Sequence, residues 1–150
     1  MNFEKDFQDF VHLLNEYHID YMVVGGYALA FHGQPRHTGD LDIWIAISES
    51  NANKMVSVLR DFGLASLGLE KSDFLDQGLI TQLGYPPLRI DILNEIDGVT
   101  FNEAYLNKQV FDVDGLKISY IGLDDLIKNK LSSGRRQDIT DVVTLNKLKK

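Results

Sequence analysis

From Asp40 to Ala46 the chain reads Asp-Leu-Asp-Ile-Trp-Ile-Ala. Strict alternation of this kind fits a β-strand with two unlike faces, because successive side chains on a strand point to opposite sides. Asp40, Asp42 and Trp44 share one face, and Leu41, Ile43 and Ile45 share the other. Such a strand belongs in a sheet with one face closed by apolar packing and the other open to something that tolerates carboxylates.

The flanking sequence supplies the partners for that sheet. Phe3, Phe7, Phe10, Val11, Leu14 and Tyr17 follow helical spacing, so a helix is expected over residues 3–17. Residues 20–24 form a short strand stopped by Gly25-Gly26, and residues 27–32 a short helix closed by Gly33 and a loop with Pro35. A second surface helix covers 51–62, capped by Ser48 or Ser50, and residues 63–78 show no pattern and read as loop. Strands over 79–85 and 88–93 make a hairpin around Pro86-Pro87. After a short helix over 101–106, strands over 110–113 and 116–120 flank the turn signal Asp114-Gly115. Helices over 123–132 and 136–148 complete the chain. Interleaved helices and strands with hairpins exclude an all-parallel scheme, so the expected fold is α/β or α+β, a mixed sheet with helices packed on it. At 150 residues a single domain over 1–150 is expected.

Composition narrows the chemistry. There is no cysteine, so thiol nucleophiles, disulfides and cysteine-ligated zinc are out, while oxygen-ligated metals such as Mg²⁺ stay open. No apolar run approaches the roughly 20 residues of a membrane span, and the N-terminus has neither a basic start nor an apolar block, so a cytoplasmic protein without membrane contact is expected. The net charge of -7 is unevenly spread: residues 1–116 carry 7 Lys and Arg against 18 Asp and Glu, whereas residues 117–150 carry 8 against 4. That balance argues against general clinging to phosphate backbones but leaves room for a local anion site near the C-terminal end.

Residues two apart on a strand lie roughly 6.5–7 Å apart, close enough for Asp40 and Asp42 to bend onto one shared cation. On its own an Asp-x-Asp pair is also what a solvated strand face gives. Asp91 repeats the situation in Arg89-Ile90-Asp91-Ile92-Leu93, with isoleucines on the opposite face. If those two strands are neighbours, three carboxylates share one face, the arrangement that two-metal phosphoryl chemistry uses. Arg89 shares the face of Asp91 and reaches it only diagonally, so pairing with Arg89 is not expected to explain that aspartate. Gly25-Gly26 turns a strand into a helix, exposing backbone N–H groups to an anion, although two glycines are common in plain turns. No Walker A loop and no G-x-G-x-x-G fingerprint is present. Lys130 follows Leu123, Leu126 and Ile127 at helical spacing and so faces inward, where it needs an anionic partner or must snorkel out. The histidines show no metal-ligand spacing, and His37, beside Arg36 and Thr38, is the one placed to matter. Trp44 either walls a pocket or is an ordinary buried strand residue.

Gly25-Gly26, then Asp40-Leu41-Asp42-Ile43, then Asp91 on a later strand resembles the motif of the nucleotidyltransferase superfamily with the DNA polymerase beta type of fold. With Ala28, Gly33, Arg36, Thr38, Leu126, Ile127, Lys130, Arg135, Asp138 and Asp141 added, the chain resembles small bacterial nucleotidyltransferase-like proteins related to abortive-infection toxins, over roughly residues 20–145. The resemblance implies that Gly25 and Gly26 hold a nucleoside triphosphate and that Asp40 and Asp42 hold two Mg²⁺ ions. Asp91 would complete the metal site and help deprotonate the attacking hydroxyl, with Arg36, Thr38 and Lys130 lining the nucleotide pocket. Arg135, Arg136, Asp138 and Asp141 have a structural explanation, as charges paired near a helix start. The reaction implied is transfer of a nucleoside monophosphate to a hydroxyl on a small molecule, a tRNA end or a protein. A non-catalytic nucleotide- or partner-binding protein of the same fold, one component of a toxin–antitoxin pair or a homodimer, is the competing expectation. A phosphoacceptor receiver domain ranks below both, since its acids lie at the ends of parallel strands.

Overall fold

A computed structural model describes residues 4–34, 39–85 and 88–148, and it orders six strands in one mixed sheet as β3-β4-β2-β1-β6-β5. The strands are β1 (Tyr21–Val24), β2 (Asp40–Ile45), β3 (Ile80–Tyr85), β4 (Leu88–Leu93), β5 (Gln109–Val113) and β6 (Leu116–Tyr120). The helices among the described residues are α1 (Lys5–Glu16), α2 (Gly25–Phe31), α3 (Glu49–Asp61), α4 (Ser72–Leu75), α5 (Phe101–Leu106), α6 (Leu123–Ser133) and α7 (Arg136–Leu148). Both expected hairpins form, β3 with β4 and β5 with β6. β1 runs antiparallel to β2, but β2 runs parallel to β4 and β1 parallel to β6, so the sheet is neither all-parallel nor a meander.

Burial follows the alternation. Leu41, Ile43 and Ile45 are buried with Met22, Val23 and Val24 of β1 and with the inward stripes of α1 (Phe7, Phe10, Val11, Leu14) and α3 (Met55, Val58, Leu59) in one apolar cluster. Trp44 departs from the pattern: it lies on the aspartate face, yet it is buried, with its ring edge-on to Phe101 at 5.1 Å. It is a core residue.

Two buried asparagines fix the frame. Asn51 accepts from the backbone N–H of Asp20 at 2.9 Å and donates to the carbonyls of Asp20 at 3.0 Å and Ala46 at 2.9 Å, which ties the start of β1 to the end of β2. Ser48 is the cap of α3, its hydroxyl accepting from the Asn51 N–H at 3.0 Å. Asn94 does the same for the segment expected to be loop, accepting from Gly78 and Leu79 and donating to the Asp76 carbonyl at 2.7 Å. That segment is more ordered than its sequence suggests. It holds a 3₁₀ turn (Ala65–Leu67) and α4, with Phe74 anchored in the core, and four-residue helices are too short to show a period.

Candidate functional site

The register of three strands assembles the site. Val24 pairs with Asp42 across β1 and β2, while Asp40 pairs with Arg89 and Asp42 with Asp91 across β2 and β4. Asp40, Asp42 and Asp91 therefore lie together on one sheet face. The parallel neighbouring of β2 and β4, which the sequence leaves open, is what makes them a group.

Their electrostatics are uneven. Burial pushes the Asp42 carboxyl up to about 7, and the negative charges of Asp91 and Asp40 and a hydrogen bond with Asp91 add to the rise; Arg89 opposes it. Near neutral pH Asp42 thus sits between its charged and neutral forms. Asp91 is nearly buried, at 8% exposure.

Arg89 corrects the expectation drawn from the sequence. Its Nε donates to Asp91 Oδ1 at 2.8 Å and its Nη2 to Asp91 Oδ2 at 3.0 Å, a two-pronged grip, while Nη2 also reaches Asp40 Oδ2 at 3.1 Å. Diagonal reach along β4 is enough for a side chain as long as arginine, and the sideways reach to β2 is set by register.

Gly25 explains why glycine opens the turn after β1. Its φ is +68°, and a Cβ placed there would lie 2.1 Å from Asp42 Oδ2. The glycine thus serves close approach of the carboxylate as well as backbone conformation. α2 begins at Gly25 itself, two residues earlier than its side-chain pattern indicates.

One of the three carboxylates, Asp42, opens onto a cleft of about 470 Å³ lined also by Gly25, Leu93, Asp97, Lys130 and Arg135 among others; Asp40 and Asp91 are not in its lining. Lys130 is buried, as its helical stripe requires. Its ammonium donates to Asp138 at 2.9 Å and lies 3.5 Å from Asp141, both deeply buried. Burial works against ionisation of Asp138, but hydrogen bonds from Ser133, Lys130 and Arg135 outweigh it and draw the carboxyl down to about 2. Asp141 also accepts from Gln34 at 2.9 Å and Gln137 at 3.2 Å. Asp138 and Asp141 are therefore structural, holding Lys130 at the cleft wall. Arg36, His37 and Thr38 lie outside the described residues. Of the other histidines, His12 faces Glu16 on the surface, and His32 packs inward with Nε2 at 2.7 Å from the Ile121 carbonyl.

The donor set suits a hard divalent cation, since it offers carboxylate oxygens alone, and the trio already draws in a cationic group. Among the described residues no three acidic or histidine side chains converge as a ready-made metal cage, and the guanidinium of Arg89 spans Asp40 and Asp91.

Residues 3–150 match the family described as nucleotidyl transferase of unknown function (DUF2204). The chain belongs to that family. No curated protein matches it. Among solved structures it is similar to an antigenic nucleotidyltransferase-like protein from Paracoccidioides brasiliensis, with a TM-score of 0.58 at 16% identity over 94% of this chain and 73% of that one. It is also similar to a Thermotoga maritima protein described as a candidate nucleotidyltransferase, with a TM-score of 0.58 at 16% identity over 95% of this chain and 91% of that one. At such identity the likeness speaks to fold, and it places the mixed sheet with its helices in the nucleotidyltransferase-like class. A receiver-domain fold is excluded by the antiparallel pairing of β1 with β2. No described helix is long and apolar enough to cross a membrane.

Proposed function

We propose that this member of the nucleotidyl transferase family is an Mg²⁺-dependent enzyme that moves a nucleoside monophosphate from a nucleoside triphosphate to a hydroxyl acceptor. The observation that carries the reading is the register that sets Asp42 against Asp91, with Asp40 on the same face, while Asp42 also lines a cleft walled by a buried lysine. Asp40, Asp42 and Asp91 would hold two Mg²⁺ ions, which when bound stabilise charge at the α-phosphorus and on the departing pyrophosphate. Asp91 is assigned to take the proton of the attacking hydroxyl on the sequence motif alone. Lys130, fixed by Asp138 and Asp141, puts a positive charge on the cleft wall where a phosphate chain would lie. Gly25 and Gly26 let backbone and phosphates approach closely, and Arg36 and Thr38 are assigned to the nucleotide pocket on the sequence motif alone.

Net charge weighs among the acceptors that the sequence leaves open, a small molecule, a tRNA end or a protein. The net acidity mildly disfavours a tRNA end and mildly suits a cationic hydroxylated small molecule. The second reading, a non-catalytic nucleotide- or partner-binding protein, has Arg89 on its side, because that side chain already settles part of the charge of Asp40 and Asp91. A toxin–antitoxin role rests on the sequence resemblance alone, as does cytoplasmic placement on composition. The test is transfer of label from α-labelled nucleoside triphosphates to fractions of a cell extract. Mg²⁺-dependent labelling should be lost in Asp42→Asn and Asp91→Asn, and labelling that survives both substitutions would refute the assignment.

A further inference from the structure

The grip of Arg89 on the carboxylates is the feature that the transfer reading does not use. Arg89 stands in register with Asp40 and two residues before Asp91, so its side chain rises from the same face. Three of its N–H···O contacts, at 2.8, 3.0 and 3.1 Å, occupy both oxygens of Asp91 and one of Asp40. The other cations lining the cleft among the described residues are committed elsewhere: the Lys130 ammonium is held by Asp138 and Asp141, and the Arg135 guanidinium by Asp138. Among the described residues, Arg89 is thus the cation paired with the trio. It is also positioned to leave, since a quarter of its side chain is exposed and that of Asp40 is 39% exposed.

We propose that Arg89 is a displaceable counter-cation that sets the threshold for divalent metal at this site, competing with the metal for the same oxygens of Asp40 and Asp91. A guanidinium and a divalent ion drawn to the same oxygens of Asp40 and Asp91 repel each other as like charges at contact distance, so each weakens the hold of the other. Loading is therefore an exchange of a single charge for a double one, and metal alone binds weakly. The inference rests on the reading of the trio as a metal site, but not on nucleotide transfer.

The experiment titrates Mn²⁺ alone, without nucleotide, into the wild-type chain, Arg89→Met and Arg89→Lys, following free Mn²⁺ by electron paramagnetic resonance. Arg89→Met keeps the length of the side chain without its charge and should bind Mn²⁺ about tenfold more tightly or better, the weight of one charge-assisted hydrogen bond lost from the competitor. Arg89→Lys keeps the charge but loses the fork, and should fall between the two. Melting separates this role from a merely structural clamp. Arg89→Met should melt lower than the wild type without metal, and Mn²⁺ should restore more than the difference. Equal or weaker Mn²⁺ binding by both variants, alongside measurable binding by the wild type, would overturn the counter-cation role alone. Absence of Mn²⁺ binding in all three proteins would overturn the metal-site reading with it.

Discussion

Replacing Asp42 by Asn should make the fold more stable while abolishing its proposed chemistry. The Asp42 carboxyl is raised from the ordinary 3.8 to about 7, with burial as the largest cause and the charges of Asp91 and Asp40 next. The folded chain therefore holds that proton more tightly than the unfolded chain does. Between about pH 4 and pH 7 the unfolded chain has given the proton up while the fold retains it, so stability falls as pH rises through this window. Three pKa units at about 1.4 kcal/mol each put the full cost on the order of 4 kcal/mol at pH 7 and above, and well under 1 kcal/mol at pH 4. Asn is nearly isosteric, carries no charge, and can donate to Asp91. Urea unfolding of both proteins across this range, taken as a difference so that other titrating groups cancel, should show Asp42→Asn gaining stability with pH and levelling off above 7. A difference that does not change with pH, or a variant less stable at pH 7 than at pH 4 relative to wild type, would refute the assignment of strain to this carboxylate. Stability gained at the expense of a charged site is the usual trade at functional positions.

Other positions give further tests. Gly25→Ala forces a left-handed residue, at about 1–2 kcal/mol, and puts a methyl group on top of Asp42 Oδ2. It should lower the melting temperature and weaken nucleotide binding more than any stability loss explains, as a titration at a temperature where the variant is folded would show. Lys130→Met removes the ammonium shared by Asp138 and Asp141, leaving Asp138 to Ser133 and Arg135 and Asp141 to Gln34 and Gln137, at a cost of about 3 kcal/mol by denaturant unfolding, the low end for a broken buried pair. A loss under about 1 kcal/mol would mean that the two aspartates are not sustained by this lysine.

Local signals carried most of the fold. The alternation of Asp40 to Ile45, the turn signal at Asp114-Gly115 and the apolar stripes of α1 and α6 are each short-range patterns, and each element forms where its pattern lies. What stayed hidden was non-local. Nothing near Asp91 says that β4 will pair in parallel with β2 rather than lie elsewhere in the sheet, since that choice is made by the crossover through α3 and the following segment. The clamp of Arg89 depends on the same pairing, because the partner strand brings Asp40 alongside it. Asn51 gave no sign of its role, as a polar residue in a helix start usually faces water, and here it fastens two strand ends. The inward placement of Lys130 was legible from helical spacing, but its partners, Asp138 and Asp141, become apparent only when α7 folds back on α6. Trp44 shows the limit of alternation: the aspartate face is closed at that end by Phe101 of α5.

Nucleotide binding at the carboxylate trio is the property on which the proposed transfer depends first. Isothermal calorimetry of ATP, GTP, CTP and UTP with and without Mg²⁺, on the wild type and on Asp42→Asn, measures it without knowledge of the acceptor. The wild type should bind at least one nucleotide in an Mg²⁺-dependent way, and the variant should lose that binding while unfolding later than the wild type. Binding by Asp42→Asn with the same affinity and the same Mg²⁺ dependence would contradict the proposed transfer.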